Sequence, residues 1–193
     1  MVSYFEKTLR KKNIDTSSTT FRLNTQVLEE SSKQPDFAGK NLMGSNWTGP
    51  VIVGEVKEED QKDDKYICLL DLIRIDCISV DSINHNLYDG VIGVHIVGLQ
   101  VSFYITTLVA DGLYVMMELC SLTLPRDATQ LKCYATNFDD LLTVLQYSEK
   151  CVVTSNQEKL KEMAVEGIVT PEFSRIISVS KDRKRESPIV YHH

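Results

Sequence analysis

The 193-residue sequence lacks the features that mark membrane and exported proteins. No apolar run free of charged residues is long enough to span a bilayer, and residues 1–13 contain no apolar segment of the secretory type. The sequence therefore predicts a protein without a membrane partner. The sequence also lacks an excess of positive charge, since its net charge is -6. This argues against a protein that coats nucleic acid by bulk electrostatics.

Closely spaced cysteine pairs, which a zinc site or a disulfide framework would use, are absent as well. The five cysteines are Cys68, Cys77, Cys120, Cys133 and Cys151. Most of them lie in apolar surroundings, where a buried and reduced thiol is the common outcome. The pattern favours a reducing, intracellular compartment over the secretory pathway.

The composition that remains is that of an ordinary globular protein, with 42% hydrophobic and 25% charged residues. It predicts one domain over residues 1–177, with a core at about 21–150, and a basic polar tail over 178–193. Within that tail, the cluster from Lys181 to Arg185 favours a solvated segment over a nuclear-localisation signal or a nucleic-acid patch.

Hydrophobic periodicity predicts an α/β fold in which helices flank a mixed β-sheet. The expected helices are Phe21–Glu30, Lys65–Asn84, Phe138–Tyr147 and Gln157–Glu166. The expected strands are one beginning after Pro35, then Val51–Lys57, Gly90–Val97, Gln100–Leu108 and Leu113–Leu124, with a Gly- and Asn-containing loop reaching Gly49.

Two short motifs stand next to these predicted strands. Glu55 and Lys57 end a β-branched run and are two residues apart, so both side chains should project from one face while Val56 points into the core. Asp36, at the start of the preceding strand, could present a second carboxylate beside Glu55. Two oxygen ligands and a cation would then converge, as metal-assisted phosphodiester hydrolysis requires.

The acid-any-Lys triplet alone is a weak signal, since it also begins at Asp60, Asp63 and Asp182. Only Glu55 follows an apolar β-branched run, and Asp36 is the only aspartate that directly follows a proline. The combination is what indicates a site. The competing interpretation is a solvated Pro-Asp turn beside a charged strand end.

Together, Pro35-Asp36 and Glu55-Val56-Lys57 resemble the motif of the PD-(D/E)xK, or restriction-endonuclease-like, nuclease superfamily. The core of that superfamily is a helix, a meander of mixed strands, a second helix and further strands, which is similar to the order predicted from residue 21 to about 124. The segment from Lys65 to Pro125 also looks similar to nuclease-like proteins of fungal genomes related to the Crinkler group.

The resemblance implies roles for individual residues. Asp36 and Glu55 would hold Mg²⁺ or Mn²⁺, and Lys57 would be the catalytic lysine. A further metal ligand from the first helix would be Glu29 or Glu30, each of which could equally be a solvated helix end. Lys65 is an accessory candidate that could also be plain surface. His85 and His95 are isolated in the sequence, and a packed histidine is favoured over a catalytic one at His95.

The function implied is metal-dependent hydrolysis of nucleic acid, with DNA favoured over RNA by the resemblance, and a homodimer is compatible with it. The alternative is an inactive member of the same fold that serves as a nucleic-acid or protein interaction module. The acidic net charge favours the alternative, and the complete set of Asp36, Glu55 and Lys57 favours the enzyme. A weaker third interpretation is a metal hydrolase that does not act on nucleic acid.

Overall fold

The computed structural model describes residues 19–23, 35–43, 46–132 and 136–165. The strands are β1 (Thr19–Leu23), β2 (Phe37–Met43), β3 (Asn46–Lys57), β4 (Val91–Val97), β5 (Gln100–Ala110) and β6 (Leu113–Thr123). The helices are α1 (Lys65–Asn86), α2 (Phe138–Lys150) and α3 (Gln157–Met163), with short 3-10 helices at Glu59–Gln61 and Ala128–Leu131. The predicted α/β class is confirmed.

The strands form one mixed sheet in the order of the chain, β1-β2-β3-β4-β5-β6. Neighbouring strands are antiparallel except β3 and β4, which are parallel. A parallel pair requires a crossover, and α1 provides it. Because β3 and β4 lie side by side in parallel, Glu55 is directly opposite His95 in the register.

Helices cover both faces of the sheet, and each face has its own apolar core. Under α1 the core comprises Val51, Val53, Ile78, Ile83, Tyr88, Val91 and Leu160. On the opposite face the core comprises Ile92, Val94, Val101, Ile105, Leu122 and Cys151, with Leu141 and Tyr147 of α2 packed against it. Among the described residues, no helix has the length and apolar character that crossing a lipid bilayer would need.

Helix α1 is fixed at both ends by side-chain hydrogen bonds. At its start, the Asp64 carboxylate accepts bonds of 3.1 Å from the backbone N–H groups of Tyr66 and Ile67, which satisfies two free donors of the first turn. At its end, Asn86 Oδ1 accepts a 3.0 Å bond from the N–H of Gly49 at the start of β3. The bond between Asn86 and Gly49 ties the end of α1 to β3. The predicted helix Lys65–Asn84 is confirmed and extends two residues further.

Two predictions near the start of the chain are wrong. Residues Phe21–Leu23, expected in a helix, belong to β1, which pairs antiparallel with β2. The two threonines that begin β1 favour a strand, and the bonds to β2 are long-range interactions that local periodicity does not contain. The loop expected up to Gly49 is likewise replaced by β3 from Asn46 onward, where the chain turns back to pair with β2.

The later elements agree with the sequence more closely. The three strands predicted after α1 are all confirmed, and α2 begins at Phe138 after Asn137 as expected, although the Asn137 side chain makes no capping bond. Helix α3 ends at Met163, earlier than the predicted Glu166, because Ala164 turns to an extended conformation. Residue 166 and the predicted tail, 178–193, lie outside the described residues.

Candidate active site

Asp36 occupies the bend directly before β2, as the sequence predicts. The next residue, Phe37, pairs with Gly54 of β3, and its ring lies where a Cβ at Gly54 would be, so the two strands approach closely there. One step along this antiparallel pair, Asp36 Oδ2 accepts a 2.8 Å hydrogen bond from the backbone N–H of Val56. The Pro-Asp motif is therefore held directly against the middle of the Glu55-Val56-Lys57 motif.

Glu55 is completely buried between β3 and α1, with a relative exposure of 0%. Its Oε2 accepts a 2.9 Å charge-assisted hydrogen bond from Nη1 of Arg74. The pKa of Glu55 is raised from 4.5 to about 7: burial is the largest cause, Arg74 opposes it, and Asp36 and Asp71 add to the increase. A carboxylate this deep persists only with a cationic partner nearby.

Lys57 projects from the same face of β3 as Glu55, as the two-residue period predicts. Its Nζ lies 3.2 Å from Oδ1 of Asp71 on α1. Val56 is on the opposite face, but the expectation that it enters the core is wrong, because 45% of it is exposed. Helix α2 covers β4 and β6 on that face and leaves the end of β3 open.

Asp71 on α1 lies close to three basic side chains around Glu55. We call Glu55, Lys57, Asp71, Arg74 and His95 together the charged centre. It is 2% exposed, and besides Lys57 it has Arg74 Nη1 at 3.5 Å from Oδ1 and His95 Nε2 at 3.6 Å from Oδ2. The first of these distances suits an ion pair, while the second is beyond hydrogen-bonding range. Three basic side chains from two strands and one helix thus lie around the buried Asp71 carboxylate.

Several polar atoms in this cluster lack a hydrogen-bond partner among the described residues. They are Glu55 Oε1, Asp71 Oδ2, Arg74 Nε and His95 Nε2, all of them buried. Buried polar atoms are normally satisfied, so a group of four that are not is unusual. Their concentration around Glu55 indicates a place where a further polar species would be accommodated.

The acidic residues after Lys57 are all exposed, and two of their carboxylates have defined contacts of their own. The Asp64 carboxylate caps α1, and the Glu59 carboxylate lies against Gly98 in the β4–β5 turn. Gly98 has a φ of +57°, a conformation that suits glycine, and it has no side chain to obstruct Glu59. Part of the negative charge is thus turned toward the end of the sheet.

The other predicted site residues are not part of this cluster. Glu29 and Glu30 lie outside the described residues. Lys65 is exposed at the first residue of α1, and the ion pairs of the centre do not include it. Across residues 19–23, 35–43, 46–132 and 136–165, no three His, Cys, Asp or Glu side chains are grouped as metal ligands.

Sequence reasoning missed Asp71 and Arg74 and gave His95 only a packing role. His95 is indeed packed, at 8% exposure, and it also faces the centre. One available signal was that Asp71 and Arg74 lie three residues apart among the apolar positions of α1, so one helix face carries charge into the core. For His95 the signal was its place within a strand that is otherwise apolar.

No protein-family model matches the chain, and neither a curated protein nor a solved structure matches it.

Proposed function

We propose that this chain is a metal-dependent nuclease of the restriction-endonuclease-like kind, which hydrolyses phosphodiester bonds and acts on DNA rather than RNA. The observation that carries the proposal is the junction between the two motifs. The Asp36 carboxylate is bonded at 2.8 Å to the N–H of Val56, and the residues on either side of Val56 are the buried Glu55 and the ion-paired Lys57.

The proposal requires a hard divalent cation, for which Glu55 and Asp36 supply the candidate oxygen ligands. Glu55 Oε1 is buried and has no hydrogen-bond partner among them, and Asp36 uses only its Oδ2 for the bond to Val56. Carboxylate oxygens suit Mg²⁺ or Mn²⁺, and Mg²⁺ often takes only one or two protein ligands because it keeps several waters. When bound, such a cation supplies an activated water and neutralises charge on the phosphate.

The contacts of each side chain indicate the role that it would have. Glu55 and Asp36 would hold the cation, and the raised pKa of Glu55 means that it would lose its proton as the cation binds. Lys57 would direct an ammonium toward the charge that develops on the phosphate, and Asp71 at 3.2 Å would fix the direction of that side chain.

The order of elements gives separate support. A meander of β1, β2 and β3, a helix and then further strands resemble the core of the superfamily, apart from its first helix, since Phe21–Leu23 belong to a strand. The Pro-Asp motif lies directly before β2, and the acid-any-Lys motif ends β3. The likeness of order is an argument from fold, and the residues at the junction of the motifs carry the functional argument.

One observation favours a second candidate, an inactive protein of this fold that binds a nucleic acid or another protein. Arg74 already contributes a positive charge at Glu55, and a buried carboxylate satisfied in this way can serve stability alone. The two candidates differ in whether the protein cleaves DNA when a divalent cation is present.

The deciding experiment incubates supercoiled plasmid, linear duplex and single-stranded DNA with the full chain and Mg²⁺ or Mn²⁺. The wild type is compared with Asp36→Ala and Lys57→Ala. Cleavage should require the cation, and either substitution should lower the rate at least 100-fold. The matched controls are Asp60→Ala and Lys62→Ala, which change an exposed acid-any-Lys triplet of the same residue types.

A wild type that cuts none of these DNAs with either cation would leave the interaction module as the better account. Cleavage that survives both Asp36→Ala and Lys57→Ala would also reject the assignment. In the second case a contaminating nuclease is the expected source, and the control variants would cut equally well. An RNA substrate in the same series tests the choice of DNA.

A further inference from the structure

Arg74 and His95 are the residues of the centre to which the proposed mechanism gives no task, and Arg74 is the one that contacts Glu55 directly. It extends from α1 so that Nη1 lies 2.9 Å from Glu55 Oε2 and 3.5 Å from Asp71 Oδ1. Its side chain is 24% exposed, whereas the Glu55 side chain is fully buried. The guanidinium therefore reaches inward from a position that is still open to solvent.

The Arg74 contact occupies one oxygen of the carboxylate that would hold a divalent cation. Two like charges a few ångströms apart repel each other strongly in a partly buried site, and a dication doubles the repulsion that a monovalent ion would meet. Arg74 and a divalent ion are therefore unfavourable as simultaneous close neighbours of Glu55. One of the two has to move away.

We propose that Arg74 is an internal competitor of the metal: it neutralises Glu55 in the metal-free protein and leaves it when a divalent cation binds. This inference rests on the proposed function, because it assumes that the cation binds at Glu55. Arg74 acts through Glu55, so it is a positioning residue rather than a catalytic one.

The surroundings of Arg74 allow it to leave Glu55 without losing every ionic contact. Asp71 already lies 3.5 Å from Nη1, so the guanidinium keeps an anionic partner after it leaves Glu55. Arg74 Nε has no hydrogen-bond partner among the described residues, and therefore no bond of that atom has to break. Each carboxylate has a positive partner before and after the exchange.

The test measures Mn²⁺ affinity by titration calorimetry at pH 8, where Glu55 is largely ionised, using the full chain. Arg74→Gln should bind Mn²⁺ about tenfold more tightly than the wild type, because a charge-assisted hydrogen bond no longer competes. Arg126→Gln, an exposed site with the same change of charge, should bind as the wild type does. Arg74→Lys keeps a cation and should fall between them.

A folded Arg74→Gln protein with unchanged or weaker Mn²⁺ affinity would overturn the inference, since a purely structural role predicts one of those results. If Arg74→Gln does not fold, Arg74→Met keeps the apolar stem, removes the charge and is read in the same way. A measurement on the wild type needs no variant: the Nε–Hε NMR signal of Arg74 should shift on addition of Mg²⁺. A signal unchanged at saturation would also reject the inference.

The combined results separate this inference from the proposed function. Tighter Mn²⁺ binding by Arg74→Gln, together with no cleavage by the wild type, supports the competition and rejects the nuclease. Metal-dependent cleavage with equal affinities supports the nuclease and rejects the competition. If neither the wild type nor Arg74→Gln binds Mn²⁺, both are overturned.

Discussion

The Asp36 carboxylate accepts a 2.8 Å hydrogen bond from the backbone N–H of Val56, which lies between the two charged residues of the Glu55-Val56-Lys57 motif. The contact gives Asp36 two separable properties, a hydrogen bond to β3 and a negative charge near Glu55. Through that charge, Asp36 contributes to the raised pKa of Glu55. The two properties can be removed one at a time.

Asp36→Asn should keep the bond to Val56 and lose the charge, whereas Asp36→Ala loses both. We expect urea unfolding to show a free energy within about 0.5 kcal/mol of wild type for Asp36→Asn and about 1 kcal/mol lower for Asp36→Ala. Both variants should lose Mn²⁺ binding and cleavage. Asp36→Asn with wild-type cleavage would mean that the aspartate is a structural residue only.

The raised pKa of Glu55 predicts a dependence of stability on pH. The folded protein binds this proton more tightly than the unfolded chain, whose glutamate titrates near 4.5, so the free energy of unfolding should fall as pH rises toward 7. The fall attributable to Glu55 is roughly 2 to 3 kcal/mol between pH 5 and pH 8. Burial of Glu55 is the main cause of the raised pKa, which Arg74 lowers and Asp36 and Asp71 raise.

Glu55→Gln isolates this effect, because it removes the titrating group and leaves the other ionisable residues. Urea unfolding of both proteins from pH 5 to pH 8 gives the difference in their free energies. The wild type should lose stability relative to Glu55→Gln as pH rises. Parallel curves for the two proteins would show that Glu55 titrates normally in the folded state.

Asp71 is expected to be structural and functional at once. Asp71→Asn leaves the ammonium of Lys57 and the guanidinium of Arg74 without their shared carboxylate, and breaking a buried ion pair from one side lowers stability by about 3 kcal/mol or more. Thermal unfolding followed by circular dichroism measures the loss. Asp63→Asn, at an exposed loop position, is the matched control and should change little. Equal effects of both substitutions would contradict the pairing seen around Asp71.

Gly54 should matter through Phe37. An added methyl group at Gly54 overlaps the Phe37 ring, so Gly54→Ala has to displace the residue next to Asp36 and is expected to lower stability by about 1 to 3 kcal/mol. In a Phe37→Ala background the ring is gone, and the further loss from Gly54→Ala should be small. A double-mutant cycle of urea unfolding measures the difference. Additive losses would indicate that the strain lies elsewhere.

Local patterns predicted the part of the site that lies on β3. The β-branched run before Glu55 identified a buried strand, and the two-residue period put Glu55 and Lys57 on one face. The proline before Asp36 distinguished this aspartate from the others in the sequence. These inferences succeeded because they depend on neighbours in sequence, as did the apolar period of α1.

The partners of Glu55 depend on long-range geometry and could not be predicted in the same way. Arg74 meets Glu55 only because α1 crosses β3 at a particular rotation, and His95 lies opposite Glu55 only because β3 and β4 are parallel. Strand β1 was mistaken for a helix for a related reason, since its pairing with β2 outweighs local propensity. An exposed Val56 likewise reflects where α2 does not reach.

The parallel pairing of β3 with β4 has a consequence for how the protein is made. A chain emerging from the ribosome presents Asp36, Glu55 and Lys57 early, but their surroundings wait for α1 to cross over and β4 to pair. Contacts between segments so far apart in sequence form slowly, because the intervening loop has to close first. The charged centre therefore forms only after α1 and β4 have been made, and a product truncated before β4 would carry both motifs without the strand that places His95 opposite Glu55.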